Sequence, residues 1–200
     1  MMKFFLNYNL IIFDLDNTLI DEEDYLFQGY NKIAEYISTR YNIESNFIFE
    51  FLIDNYKKNG RVKLFDSMIE KFDLEKNILI EVLKILREFK PTHKIKIFPK
   101  MEEILITLKL NKIKYIVLTN GNTTQQKNKV KNTEWKGLMP EIVYANETEP
   151  KPSVISLEKF LIFKKLKIKK EKILFVGDDI TDSTFSESYG CTFLNVDNIV

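Results

Sequence analysis

Two carboxylates stand two residues apart in Asp14-Leu15-Asp16-Asn17-Thr18, directly after the apolar run Leu10-Ile11-Ile12-Phe13. Side chains at i and i+2 of an extended chain point the same way, so Asp14 and Asp16 can face one site with a hydroxyl nearby. Such a pair repels itself unless a cation, or a proton on one member, relieves it. The spacing therefore asks for metal-assisted chemistry and not for packing. Three more groups of chemical residues recur along the chain. They are Thr119-Asn120-Gly121, Lys151-Pro152, and Gly177-Asp178-Asp179 with Asp182 shortly beyond.

Each group needs an element to end where it begins. Four apolar residues, Leu10 to Phe13, read as a buried strand too short for a helix. Lys114 to Leu118 reads as a strand running into Thr119, and Lys172 to Val176 as one running into Gly177. Glu141 to Ala145 reads as a short strand whose following loop carries Lys151. Between them the sequence predicts a helix from Pro99 to about Leu110, a polar helix through Val130, a helix from Ser153 to Leu166, and one from about Asp182 to Gly190. Cys191 to Val196 reads as a last strand. Apolar strands alternating with helices predict an α/β fold, a parallel sheet covered on both faces. In open sheets of this kind, sites collect outside the carboxyl ends of the strands.

One stretch breaks the alternation. From about Glu22 to Phe89 apolar residues recur at three- and four-residue spacing: Tyr25, Gly29, Ile33, Tyr36 and Ile37; Phe47, Phe51 and Ile53; Leu64, Met68 and Phe72; Ile78, Val82, Ile85 and Phe89. That periodicity predicts four amphipathic helices in a small bundle. Asn59-Gly60 punctuates the run and Pro91 ends it. The bundle is an insertion after the first strand. The expected division is residues 1–20 with 92–200 as a core, and 21–91 as the inserted unit.

In motif order, the chain resembles the haloacid dehalogenase-like superfamily over nearly its whole length. Phe13 to Leu19 is similar to the family's first motif, Leu118 to Gly121 to the second, Lys151-Pro152 to the third, and Val176 to Asp182 to the fourth. The resemblance implies a Rossmann-like core and a helical cap that covers the site and selects substrates. It implies a magnesium-dependent phosphatase acting through an aspartyl-phosphate. Asp14 would be the nucleophile, and Asp16 the acid that protonates the leaving alcohol and then the base on water. Asp14, the backbone carbonyl of Asp16, and Asp178 would hold Mg2+, which prefers hard oxygen ligands. The Thr119 hydroxyl and Asn120 N–H would bind phosphoryl oxygens, and Lys151 would neutralise charge. Asp182, with Asp179 close behind, would orient a metal-bound water or Lys151. Asp182 has an alternative role as a helix N-cap.

Bulk properties narrow the partners. Thirty basic residues against 29 acidic give a net charge of +1 over 200 residues, without the basic excess that suits a nucleic-acid polymer. No stretch reaches the about 18 apolar residues of a membrane span. The single cysteine, Cys191, forms no intramolecular disulfide and reads as a buried hydrophobe. A cytoplasmic monomer or homodimer acting on a small phosphorylated metabolite is expected. His93 and the basic run Lys164–Lys172 read as surface. The acidic run Asp21 to Asp24 reads as the start of the first inserted helix, where acids suit the helix dipole. Lys57, Lys58, Arg61 and Lys63 cluster around Gly60, and Arg61 is the residue there expected to bind substrate. Two rivals stand beside the phosphatase. A dehalogenase uses the same nucleophile without magnesium, and Asp16 argues against it. A non-catalytic binding subunit would be signalled by loss of a site residue, and none is lost.

Overall fold

The computed structural model describes residues 2–199. Five parallel strands form one sheet in the order β3-β2-β1-β4-β5. Strand β1 (Leu10–Phe13) is central, between β2 (Lys114–Thr119) and β4 (Ile173–Gly177), with β3 (Glu141–Tyr144) and β5 (Thr192–Asn195) at the edges. All four β1 residues are buried, as a strand covered on both faces requires. Phe13 lies opposite Val117 and Val176, and the Asp14 N–H donates to the Val176 carbonyl at 2.9 Å. This register brings the ends of the three central strands to one edge of the sheet.

Helices α6 (Pro99–Leu110), α7 (Thr123–Asn132), α8 (Ile155–Phe163) and α9 (Ile180–Tyr189) connect and cover the strands. On one face Leu10, Ile12, Ile116, Leu118 and Phe175 pack with Leu157 and Leu161 of α8 and Phe185 and Tyr189 of α9. By the alternation of a strand, Ile11 and Phe13 belong to the other face. A short helix, α1 (Met2–Phe5), precedes β1.

Several element ends differ from the sequence expectation, each for a local reason. Helix α8 stops at Phe163, not Leu166. Lys165 takes a left-handed φ of 54°, and the Leu166 N–H folds back to the Leu161 carbonyl. It starts at Ile155, not Ser153, because Ser153 lies in a turn closed onto the Pro150 carbonyl. Helix α9 starts at Ile180, because Asp179 caps it. Gly190, at φ 83°, ends α9, and the Cys191 N–H bonds back to Ser186, so β5 begins at Thr192. Cys191 is half-buried against the core.

The chain divides into two compact units, residues 1–22 with 94–200 and residues 23–93. The second holds α2 (Glu22–Tyr41, apart from its first residue), α3 (Ser45–Asn59), α4 (Leu64–Lys71) and α5 (Ile78–Glu88). Its core is Tyr25, Leu26, Tyr30, Ile33 and Ile37 with Ile48, Leu52, Met68, Ile78 and Val82. The stripe of α3 is thus Ile48 and Leu52. Phe47, expected inside, is 60% exposed. Gly29 is closely packed: a Cβ there would lie 2.7 Å from Leu86 Cδ1, and that side chain would have to shift. Beside it the buried Tyr25 hydroxyl donates to the Leu86 carbonyl at 2.8 Å. No helix among the described residues is long and apolar enough to cross a membrane.

Candidate active site

The turn after β1 is built by the backbone of Leu15 to Ile20. The Leu15 carbonyl accepts from both Leu19 and Ile20, and the Asn17 N–H donates to the Ile20 carbonyl at 2.8 Å. Asn17 takes a left-handed φ of 54°, which Asn tolerates better than most residues. Its side chain in turn accepts from the Glu22 N–H at the start of α2. Leu15, Leu19 and Ile20 are buried, so the turn is anchored by packing as well as by its backbone bonds. Asp14 and Asp16 therefore project from a fixed loop.

Lys151 joins all four sequence groups. Its Nζ lies 2.7 Å from Asp14 Oδ1 and 2.6 Å from Asp182 Oδ1, with all three side chains nearly inaccessible. The loop bearing it is latched to the end of β2. The Asn120 amide donates from Nδ2 to the Lys151 carbonyl at 3.0 Å and accepts the Lys151 N–H at 2.8 Å. The Asn120 side chain thus aims the lysine, while Thr119 is buried beside it in the chain. Asp182 does not cap α9. Asp179 does, accepting the Asp182 N–H at 3.0 Å, and so leaves the Asp182 carboxylate for Lys151.

The electrostatics record a shortage of positive charge. Burial pushes the Asp14 carboxyl up to about 7; Lys151 opposes this, and Asp182 and Asp16 add to it. Asp178 is pushed up to about 6 by burial, then by Asp14 and Asp179, against a hydrogen bond from the Thr18 hydroxyl. Asp182 is raised by burial against the pull of Lys151. Burial works against the Lys151 charge, but Asp14 and Asp182 outweigh it and hold the ammonium above its ordinary value. Carboxylate oxygens of Asp14, Asp178 and Asp182 lie within 4.8 Å of one another. Clustered hard oxygen donors with raised carboxyls fit a divalent cation, which would supply the missing charge. Asp182 already accepts from Lys151, and its Oδ2, packed on Gly177, has no hydrogen-bond partner among the described residues.

A second buried lysine escapes sequence reasoning. Lys129 of α7 has a side chain with no exposure, and its Nζ lies 2.8 and 2.7 Å from the two oxygens of Asp16 and 2.7 Å from Glu22 Oε1. Gln126, one turn earlier, donates from Nε2 to Asp16 Oδ2 at 2.8 Å and to the Asn120 carbonyl at 2.7 Å. Glu22 is therefore a buried counter-ion as well as a first-turn acid, contrary to the simple helix-start reading of the Asp21–Asp24 run. Asp24 pairs with the exposed His93 at 2.7 Å. The one available signal was the i, i+3 spacing of Gln126 and Lys129 on a helix just past Asn120. Arg61 lies in the exposed turn between α3 and α4 of the helical unit.

A family model described as haloacid dehalogenase-like hydrolase matches residues 11–196. No curated protein matches the chain in sequence. Among solved structures, a HAD-superfamily hydrolase of subfamily IA, variant 1, from Geobacter sulfurreducens is similar at 21% identity and a TM-score of 0.67, over 94% of this chain and 86% of that one. YfnB from Bacillus subtilis, assigned as a HAD-hydrolase and bound to magnesium, is similar at 16% identity and a TM-score of 0.65, over 93% and 85%. A HAD phosphatase from Thermococcus onnurineus is similar at 21% identity and a TM-score of 0.57, over 92% and 84%. At these identities the likeness concerns the fold.

Proposed function

The chain belongs to the haloacid dehalogenase-like hydrolase family, and from that premise we propose a magnesium-dependent phosphatase that hydrolyses a small phosphomonoester. The observation that carries the reading is the Asp14 carboxylate held by Lys151 within a cluster of carboxylates. A buried cation orients a nucleophilic carboxylate and favours its ionised form, and the anionic charge that Lys151 leaves uncompensated asks for a metal. Magnesium bound to YfnB and the phosphatase from Thermococcus onnurineus support the same reading by analogy of fold. Sugar phosphates, nucleoside monophosphates and small phosphorylated alcohols are the substrate class.

Asp14 attacks phosphorus, forming a carboxylate–phosphoryl bond as the ester oxygen leaves with its electron pair. Asp16 gives that oxygen a proton. Asp16 then takes a proton from water as the water attacks phosphorus, and Asp14 leaves as the carboxylate. Two easier displacements replace one difficult one. Thr119 and Asn120, at the end of β2, bind phosphoryl oxygens through hydroxyl and N–H. Lys151, latched by Asn120 and braced by Asp182, neutralises charge on the transferring group. Asp14, Asp178 and the Asp16 carbonyl would hold the cation. When bound, it lets an anionic nucleophile meet an anionic phosphate and stabilises the charge that spreads over the transferring group.

The test is hydrolysis of p-nitrophenyl phosphate with and without Mg2+. Asp14→Asn and chelation should each abolish turnover. Undiminished hydrolysis by folded Asp14→Asn protein would refute the assignment. Metal-independent halide release from a 2-haloacid would favour a dehalogenase, and metal binding without hydrolysis of any ester a binding subunit.

A further inference from the structure

We infer that Lys129 is the positioning residue for Asp16. The inference rests on the phosphatase reading, since it is the reaction that gives Asp16 a proton to move. A lysine side chain with no exposure is costly unless its charge is paired and its donors are used. Here the ammonium is aimed at both oxygens of Asp16, at 2.8 and 2.7 Å, and at Glu22 Oε1, at 2.7 Å.

The two acceptors differ in a telling way. The Glu22 side chain is 4% exposed, whereas that of Asp16 is 16% exposed and reaches solvent. Glu22 fixes the ammonium from inside the protein, and the ammonium fixes Asp16 at the edge of the site. Gln126 adds a second, neutral donor to Asp16 Oδ2 and ties it to the Asn120 carbonyl at the end of β2. Both donors come from α7, one turn apart. The N-terminus of α7 is itself fixed, because Asn122 caps it and the neighbouring Gly121 N–H donates to Asn146. The orientation of Asp16 is therefore set by the end of β2 and the helix that follows, not by its own loop alone.

Packing alone does not need this arrangement. A buried ion cluster is commonly no more stable than apolar side chains of similar volume. What it provides is a carboxylate with a defined plane, two residues from the nucleophile. Proton transfer to a leaving oxygen needs that definition, since a displacement of about 1 Å can cost about 100-fold in rate. Lys129 acts through Asp16 and does not itself meet the substrate.

The test reads kcat/KM over a series of phosphate esters whose leaving groups range from p-nitrophenol through phenol to an alkyl alcohol. It uses the full chain with Mg2+. p-Nitrophenolate leaves without help from an acid, whereas an alkoxide does not. Lys129→Met should lose about 10-fold or less on p-nitrophenyl phosphate and on the order of 100-fold on the alkyl phosphate, within the usual range for a general acid. In the Asp16→Asn background, adding Lys129→Met should steepen the leaving-group dependence no further. Gln126→Leu removes only a neutral donor and should tilt the series the same way, which keeps the test available should Lys129→Met fail to fold. An equal loss on every ester, or an unchanged dependence, in a folded variant would overturn the inference. If the wild-type protein hydrolyses no ester, the phosphatase reading itself fails. If it does and the variants show no tilt, only the role of Lys129 fails.

Discussion

Gly177 ends β4 directly beneath the carboxylate that braces Lys151, and Gly177→Ala is the smallest change that should disable the site. An added Cβ would lie 2.6 Å from Asp182 Cγ and 2.7 Å from Asp182 Cβ, with Oδ2 nearer still. Ordinary carbon contacts are about 3.5–4.0 Å, so Asp182 would have to retreat by about 1 Å. It has little room to do so: it is fully buried, and its backbone N–H is held by the Asp179 cap. A retreat of that size stretches its 2.6 Å bond to Lys151 to roughly 3.5 Å, the limit of a hydrogen bond. Overpacking of this kind costs about 1–3 kcal/mol. For a chain of this size that lowers Tm by roughly 2–4 °C per kcal/mol. The larger effect should fall on turnover. Lys151, released on one side, shifts from Asp14, which under the proposed mechanism is the nucleophile, and a displacement of about 1 Å would be worth about 100-fold in kcat. Thermal unfolding by circular dichroism and p-nitrophenyl phosphate kinetics give both numbers on one preparation. A Gly177→Ala protein with wild-type Tm and wild-type kcat would refute the coupling of Gly177 through Asp182 to Lys151.

Two further outcomes follow from the same charges. Asp14 and Asp178 are pushed up to about 7 and about 6, against about 3.9 in an unfolded chain. The metal-free fold thus binds more protons than the unfolded chain in that window. Their contribution to stability is full below about pH 4 and is lost as pH rises through 6 and 7. A divalent cation competes with those protons, so Mg2+ should raise Tm more at about pH 8 than at about pH 5; an equal or smaller rise at the higher pH contradicts the assignment. Lys129→Met leaves Glu22 buried without its main cation and should cost about 3–5 kcal/mol, measurable by urea unfolding. Lys129→Met combined with Glu22→Leu should recover most of that loss, and strict additivity of the two would show that the ions are not coupled.

The sheet, and the candidate site at its edge, were legible in the sequence wherever polar residues coincide with a strand end. Asp14, Thr119 and Asp178 each follow an apolar run, and a parallel sheet brings such ends to one edge whatever the intervening lengths. The inserted helices were legible as periodicity, but not the face each buries. Phe47 and Ile48 differ little in hydropathy, and only the packing of α3 decides that Ile48 goes in. Helix ends failed where a single backbone torsion decides them, as at Lys165. Lys129 was hidden for another reason. One lysine among 30 basic residues, on a helix that is polar almost throughout, has no local feature that distinguishes it from a solvated one. Its burial depends on Glu22, 107 positions away, and that pairing exists only once the fold does.

Asp14 and Asp16 start as chemical equals two residues apart, and a mechanism that uses one as nucleophile and the other as proton carrier needs them unequal. The fold divides them between two buried lysines. Asp14 shares Lys151 with Asp182, beside Asp178. Asp16 shares Lys129 with Glu22 and takes a further bond from Gln126. Each lysine has one internal carboxylate that holds it in place, Asp182 for Lys151 and Glu22 for Lys129. Each then presents the remainder of its charge to one member of the pair. Carboxylate oxygens of Asp14, Asp178 and Asp182 cluster, so under the proposed mechanism the nucleophile and the cation would stand together. Asp16 is clamped from α7, and under the proposed mechanism that clamp would aim its carboxyl at the leaving oxygen.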